Sequence, residues 1–172
     1  ENTKKFEILF LVDNYNGFIE KYRVYKENKN INYYKKFTNK VFISIGQIKN
    51  PNSRIKLFKK LSKKKFIFPT IISKNAYVSK NVTIGSGTII MHHALINSKV
   101  KIGKNCIINS KSLVEHGTQI ENNCHISTGS IVNGDCLIKE NSFIGSNSTI
   151  IQGLTIKKNS NISAGRIVKK KN

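Results

Sequence analysis

Acidic residues are scarce in this sequence. Its 172 residues include 9 Asp and Glu against 30 Lys and Arg, a formal net charge of +21. Arginine is scarcer still, with only Arg23, Arg54 and Arg166. Such a charge suggests a polyanionic partner, and nucleic acid comes first to mind. The shortage of arginine argues against it, because arginine is the side chain that reads bases and grips phosphate in bidentate fashion. The excess charge is also spread along the whole sequence rather than gathered in one stretch. Long apolar runs are missing, and a membrane span needs roughly 18 or more such residues, so no membrane insertion is expected. No charged-then-apolar leader opens the chain, so nothing marks it for secretion. Three cysteines suit a reducing, cytoplasmic setting.

What is present is a repeat. From Ile72, every sixth residue through Ile90, Ile108, Ile126, Ile144 and Ile162 to Val168 is Ile or Val without interruption. The position four after each is usually small, as at Ala94, Cys106, Thr118, Cys124, Ser130 and Cys136. The cysteines there are expected to be buried small residues. The position directly after each Ile or Val is often Gly or Asn, as at Gly85, Gly103, Asn109 and Gly145, and is expected to hold the left-handed corner. A period of six is neither helical nor simply alternating. It predicts short β-branched strands separated by corners, three to a coil, with coils stacked in parallel about 4.8 Å apart. Residues 18 apart then share a column. Most repeat lysines, such as Lys101, Lys104 and Lys139, fall at outward positions.

The first 69 residues read differently. Phe6–Val12 predicts a buried strand stopped by the turn signal Asp13-Asn14-Tyr15-Asn16-Gly17. Val41–Ile45 predicts a second strand ending at Gly46, and Phe66–Phe68 a third. Between them, Asn50 and Pro51 open a helix with Ile55, Phe58 and Leu61 inward and Lys56, Lys59, Lys60 and Lys63 outward. This is an α/β pattern. The expected organisation is an α/β domain over 1–69, a β-helix over 70–168 and a basic tail over 169–172.

The repeat resembles the hexapeptide-repeat family, whose fold is a left-handed parallel β-helix. The handedness is implied by the resemblance, since spacing alone does not give it. The combination of "LVDNYNG" and "ISIGQ" with this β-helix resembles sugar acyltransferases of the NeuD/PglD type. The resemblance implies a mainly β fold, with a Rossmann-like α/β domain before the β-helix. Acetyl-CoA is the implied co-substrate, a sugar or nucleotide sugar the acceptor, and a homotrimer the assembly. Asp13, Asn14 and Gly46 match positions that line the sugar-nucleotide site, with Asn14 replacing the usual second Asp. Relatives open with a strand and a Gly-rich loop. Nothing before Phe6 matches these, and a truncated chain or a reduced substrate site would each account for that.

The segment "SLVEHGTQI" matches the family's catalytic segment. It implies His116 as general base, with Glu115 beside it; imidazole titrates near neutrality and suits that task. Step arithmetic adds a point of its own: Gly134 lies 18 residues on, in the column of His116. In the family the amide of this glycine is the oxyanion donor. His125 matches a residue near the thioester of acetyl-CoA, and Ser146, Ala164 and Gly165 match positions along its pantetheine arm. Many relatives follow the catalytic His with Asp or Glu, but here Gly117 stands there, leaving Asp135 or a neighbouring subunit to orient the ring. A zinc site is not expected, because His92, His116 and His125 share no column. The expected activity is N-acetylation of a nucleotide-linked amino sugar in bacterial surface-glycan synthesis. The alternatives are O-acetylation of a sialic acid or related sugar, and a non-catalytic β-helical module.

Overall fold

The computed structural model describes residues 6–27, 31–48 and 50–169. Residues 71–168 form seventeen two-residue strands, from Ile71–Ile72 to Ile167–Val168. They build three parallel sheets of six, six and five strands, which are the faces of a β-helix of about five coils. Every pairing joins residues 18 apart, as in Ile107 with His125 and Leu113 with Ile131. This is the coil that the sequence predicts, in keeping with a left-handed β-helix. Two-residue strands are enough here because each coil is hydrogen-bonded to the coils above and below it. The second residue of each strand points inward, and Ile90, Ile108, Val114, Ile126, Val132 and Ile144 are fully buried. Only the end coils depart from this, with Ile72 37% exposed.

The small slot has a polar reason beyond size. Thr88 and Thr118 donate their hydroxyls to the carbonyls of Gly103 and Asn133 in the next coil, and Ser130 Oγ lies between Ser127 O of its own coil at 2.6 Å and Gly145 O of the next at 3.0 Å. Cys106 and Cys136 direct their thiols to Glu121 O and Ile151 O in the same way. The cysteines thus act as buried serine equivalents, and burial pushes the Cys136 thiol above its ordinary range.

The left-handed corner lies two residues later than the sequence suggests. Positive φ falls at His93, Asn105, Asn123, Asp135 and Gly117, three residues after the inward Ile or Val. Gly85 and Gly145 do not have it; they are small because the backbone of the next coil passes within 2.5 Å of where a Cβ would stand.

The first sheet, which carries Ile107, His125 and Phe143 outward, is covered by the N-terminal segment and buried. That segment holds strands β1 (Leu11–Asp13), β2 (Gly17–Ile19) and β3 (Tyr22–Lys26) and helices α1 (Asn32–Lys35) and α2 (Asn52–Lys63). β3 lies between β1, its parallel neighbour, and β2, its antiparallel one. The Rossmann-like sheet expected over 1–69 is not seen among the described residues. The strand expected over Phe6–Val12 forms only as β1. No strand forms over Val41–Ile45 or Phe66–Phe68, where the pairing is the single bridge Lys40–Ile67. The reason lies in the carbonyls of Ile43 and Ile45, which are taken by the side chain of Arg54 instead of a neighbouring strand. α2 forms with the expected faces, but it starts at Asn52 with Pro51 in the cap position, where the sequence suggests Asn50. Asn50 Oδ1 accepts the Asn52 N–H at 2.9 Å, Leu61 is buried, and Lys56, Lys59, Lys60 and Lys63 point outward. Of the expected basic tail, residues 170–172 lie outside the described residues.

Candidate active site

His116 stands on the corner between the second and third sheets, exposed at the edge of the prism. Its backbone is fixed by the coil below, where the Asp135 N–H donates to His116 O at 2.9 Å. Gly134 lies beneath the ring: a Cβ added there would stand 2.7 Å from His116 Cε1 and 2.8 Å from Nε2. Real Cβ contacts are never that short, so the imidazole rests on bare backbone. No described residue accepts the Gly134 N–H in a hydrogen bond. Glu115 points away from the ring and accepts a hydrogen bond from Asn97 Nδ2 at 2.8 Å. Asp135 carries its carboxylate into the space left by the missing side chain of Gly117. It forms no hydrogen bond with the His116 ring.

His125 occupies a different place. It is buried on the first sheet beneath the N-terminal segment. Nδ1 lies 2.5 Å from Gln47 O and Nε2 lies 3.2 Å from Asn109 Nδ2. A carbonyl only accepts, so Nδ1 carries the proton and Nε2 accepts from Asn109. Burial is the main cause that pushes the His125 pKa below its ordinary value, and the ring stays neutral. Ser146 lies near this end, its Oγ 2.9 Å from Ser127 Oγ, and its carbonyl accepts the Gly165 N–H. Ala164 continues the same corner and, with Gly165, is exposed.

The candidate residues therefore fall into two groups on opposite edges of the second sheet. His116, Glu115 and Gly134 line one edge; Ser146, Ala164 and Gly165 line the other, next to His125. Gly46 joins the second group through its neighbour Gln47. A Cβ on Gly46 would meet nothing within 4 Å, so this loop position is open. Asp13 and Asn14 end β1 in the open, where Asp13 Oδ1 accepts the Asn14 N–H. His92 pairs with Ser73 Oγ at 2.7 Å. Among the described residues no three His, Cys, Asp or Glu side chains gather as a metal site would require. Among the described residues no helix is long and apolar enough to cross a membrane.

The second sheet between these edges carries Tyr77, Leu95, Leu113, Ile131, Thr149 and Ile167 on its outer face. Apart from Thr149 the row is apolar; Leu113 and Ile131 at its centre are half-buried, and Tyr77 and Ile167 at its ends are 61% and 64% exposed. The sequence repeat alone does not distinguish this face. The signal is there at the position before each inward Ile or Val, once residues 18 apart are read as a column.

Comparison with known proteins agrees with this architecture. Residues 99–134 match the bacterial transferase hexapeptide model (six repeats), and residues 137–170 match the hexapeptide repeat of succinyl-transferase. Over these residues the β-helix is similar to bacterial hexapeptide-repeat transferases. No curated protein sequence matches the chain significantly. Among solved structures, the chain is similar to a variant of perosamine N-acetyltransferase from Caulobacter crescentus in complex with CoA and GDP-perosamine. The two are 25% identical with a TM-score of 0.83, over 88% of this chain and 71% of that one. WeeI from Acinetobacter baumannii AYE is 25% identical with a TM-score of 0.82, over 94% and 77% of the two chains. The acetyltransferase domain of PglB from Neisseria gonorrhoeae FA1090 shares the fold, with a TM-score of 0.83 at 23% identity over 95% and 78%.

Proposed function

We propose that this protein transfers the acetyl group of acetyl-CoA to the amino group of a nucleotide-linked amino sugar. The transferase repeats and the likeness to perosamine N-acetyltransferase support an acyl-CoA-dependent sugar acetyltransferase. The observation that carries the reading is the stacking of His116 on Gly134. His116 Nε2 is the general base for the attacking amine, a role contributing about 10²–10⁴-fold in such sites. The free Gly134 N–H beside it donates to the oxyanion that forms as the amine adds to the thioester carbonyl; such a donor contributes about 10²–10³-fold. The thiolate of CoA then leaves. Asp135, which fills the gap at Gly117, and residues of a second chain are the candidates for orienting the ring.

Ser146, Ala164 and Gly165 follow the pantetheine arm, and His125 stands near the thioester end. In one chain these residues and His116 lie across the second sheet from one another. A homotrimer packed through the apolar Leu95–Leu113–Ile131 face brings the edge of one chain against the other edge of its neighbour. The site is then completed between subunits. Asp13, Asn14 and Gly46 are the proposed contacts to the nucleotide sugar. The lysine-rich surface attracts both polyanionic substrates, and that attraction weakens with salt. The role proposed is cytoplasmic, in surface-glycan synthesis.

The test is product analysis by mass spectrometry, after incubation with acetyl-CoA and a panel of nucleotide-linked amino sugars and free sialic acids. Acetyl on the amino nitrogen of a nucleotide sugar supports the reading. Acetyl on a hydroxyl of a sialic acid would replace it with O-acetyl transfer. No product from any acceptor would contradict enzymatic transfer and favour a binding module.

A further inference from the structure

Arg54 is the most unusual side chain at the junction between α2 and the β-helix. It is 1% exposed, and no carboxylate among the described residues pairs with it. Its donors go to main-chain carbonyls instead. Nη1 donates to Ile43 O at 2.5 Å and to Ile45 O at 2.9 Å. On the far side, Nε reaches Asn105 O and Nη2 reaches Gly87 O, both at 3.4 Å. One guanidinium therefore ties the loop before Gly46 to the corner of two successive coils. The loop is fastened again just past Gly46, where Gln47 Nε2 donates to Asn123 O and Gln47 O accepts from His125 Nδ1. That corner is itself rigid: Asn105, Asn123, Asn141 and Asn159 hydrogen-bond to one another in an amide ladder.

This junction is not arranged for stability. A buried cation without a carboxylate is costly, and an apolar side chain of similar size is often as stable or more so. Burial lowers the Arg54 pKa to about 10, so the charge persists at neutral pH. Gln47 Oε1 and Asn105 Oδ1 are also buried with no hydrogen-bond partner among the described residues, which costs stability again. What the guanidinium supplies is a planar fork of five donors that sets several carbonyls at fixed positions at once.

We propose that Arg54 is the positioning residue of the sugar-nucleotide site. It fixes residues 43–46 against the β-helix, so that Gly46 is presented to the nucleotide sugar, while His125 keeps its own hydrogen bonds to Gln47 and Asn109. This rests on the acetyltransferase reading above. Arg54 touches no substrate. Its effect passes through the loop, and falls on the sugar nucleotide rather than on acetyl-CoA.

The test uses the full chain as Arg54→Lys and Arg54→Met, with steady-state kinetics for both substrates and amide hydrogen exchange of residues 41–48. Loss of hydrogen bonds to a charged group predicts a rise in the KM for the nucleotide sugar of about tenfold to a hundredfold in Arg54→Met. The KM for acetyl-CoA stays within about twofold, and Arg54→Lys, which keeps one charged donor, falls between. Exchange quickens in 41–48 and is unchanged in the β-helix. An unchanged nucleotide-sugar KM, or an equal rise in both KM values, would overturn the proposal. If the wild-type protein transfers no acetyl group, the acetyltransferase reading fails and exchange alone decides on Arg54. Faster exchange confined to 41–48 then upholds its hold on the loop, and unchanged exchange refutes it. Should Arg54→Met fail to fold, Arg54→Lys carries both measurements.

Discussion

The imidazole of His116 rests on the Cα of Gly134 in the next coil, where a single added methyl group would stand 2.7 Å from Cε1. The pairing follows from the coil length alone. Gly134→Ala should push the ring away while leaving the inward Val132 and the small Cys136 on either side undisturbed. Alanine keeps the backbone N–H, so the expected result is that of a displaced general base, a fall in kcat of up to about 10²–10⁴-fold. Circular dichroism and thermal unfolding should stay close to wild type. A variant with unchanged kcat would separate Gly134 from the reaction.

The apolar outer face of the second sheet predicts an assembly. Leu113→Glu places a charge at the centre of the row between Leu95 and Ile131. Burying an unpaired charge is strongly unfavourable, so the variant should be monomeric by light scattering and inactive, while its β-helix remains folded. A wild-type protein that is already monomeric, or a variant with the same mass and activity, would contradict the subunit seam.

Stability should depend on pH through His125. Its folded-state pKa lies below the ordinary value of 6.5, chiefly because the ring is buried. The unfolded chain therefore binds this proton more readily than the folded one. The stabilising contribution is complete above about 6.5 and declines as pH falls from there through the lowered folded-state value. Thermal unfolding between pH 7.5 and 5 should show this decline, and His125→Gln should flatten it. An equal slope in the variant would place the titrating group elsewhere.

The small slot predicts a tolerance. Cys136→Ser keeps the size and the donor that reaches Ile151 O, so its unfolding temperature should match wild type within a few degrees. Cys136→Leu overfills a slot that is closed on all sides, with a cost of about 1–3 kcal/mol. Denaturant unfolding of the two variants checks the contrast.

The β-helix was legible because its information is local and repeated. An Ile or Val every six residues fixes strand length, inward face and coil, and the 18-residue step then places Gly134 beneath His116. The left-handed corner lies two residues past the position that the glycines suggest, because glycine answers two needs here. Gly117 supplies a positive φ, whereas Gly85 yields to a passing backbone. The N-terminal segment was less legible for a different reason. Val41–Ile45 has the residues of a strand, but its carbonyls are satisfied by one arginine on α2, which no pattern of strand propensities discloses. His125 shows the same limit. On its own strand it reads as an exposed outward residue, and what buries it is Gln47, 78 positions earlier in the chain. The division of the site residues between two edges of the second sheet likewise needed the three faces to be seen together.

The central claim is that His116 removes the proton from an amine attacking acetyl-CoA above Gly134. The most direct measurement is the rate of CoA release with a nucleotide-linked amino sugar for wild type and His116→Ala, each shown to be folded by its thermal transition. Loss of a positioned base predicts a fall in kcat of about 10²–10⁴-fold with the KM for acetyl-CoA little changed. Full kcat in His116→Ala would contradict the account.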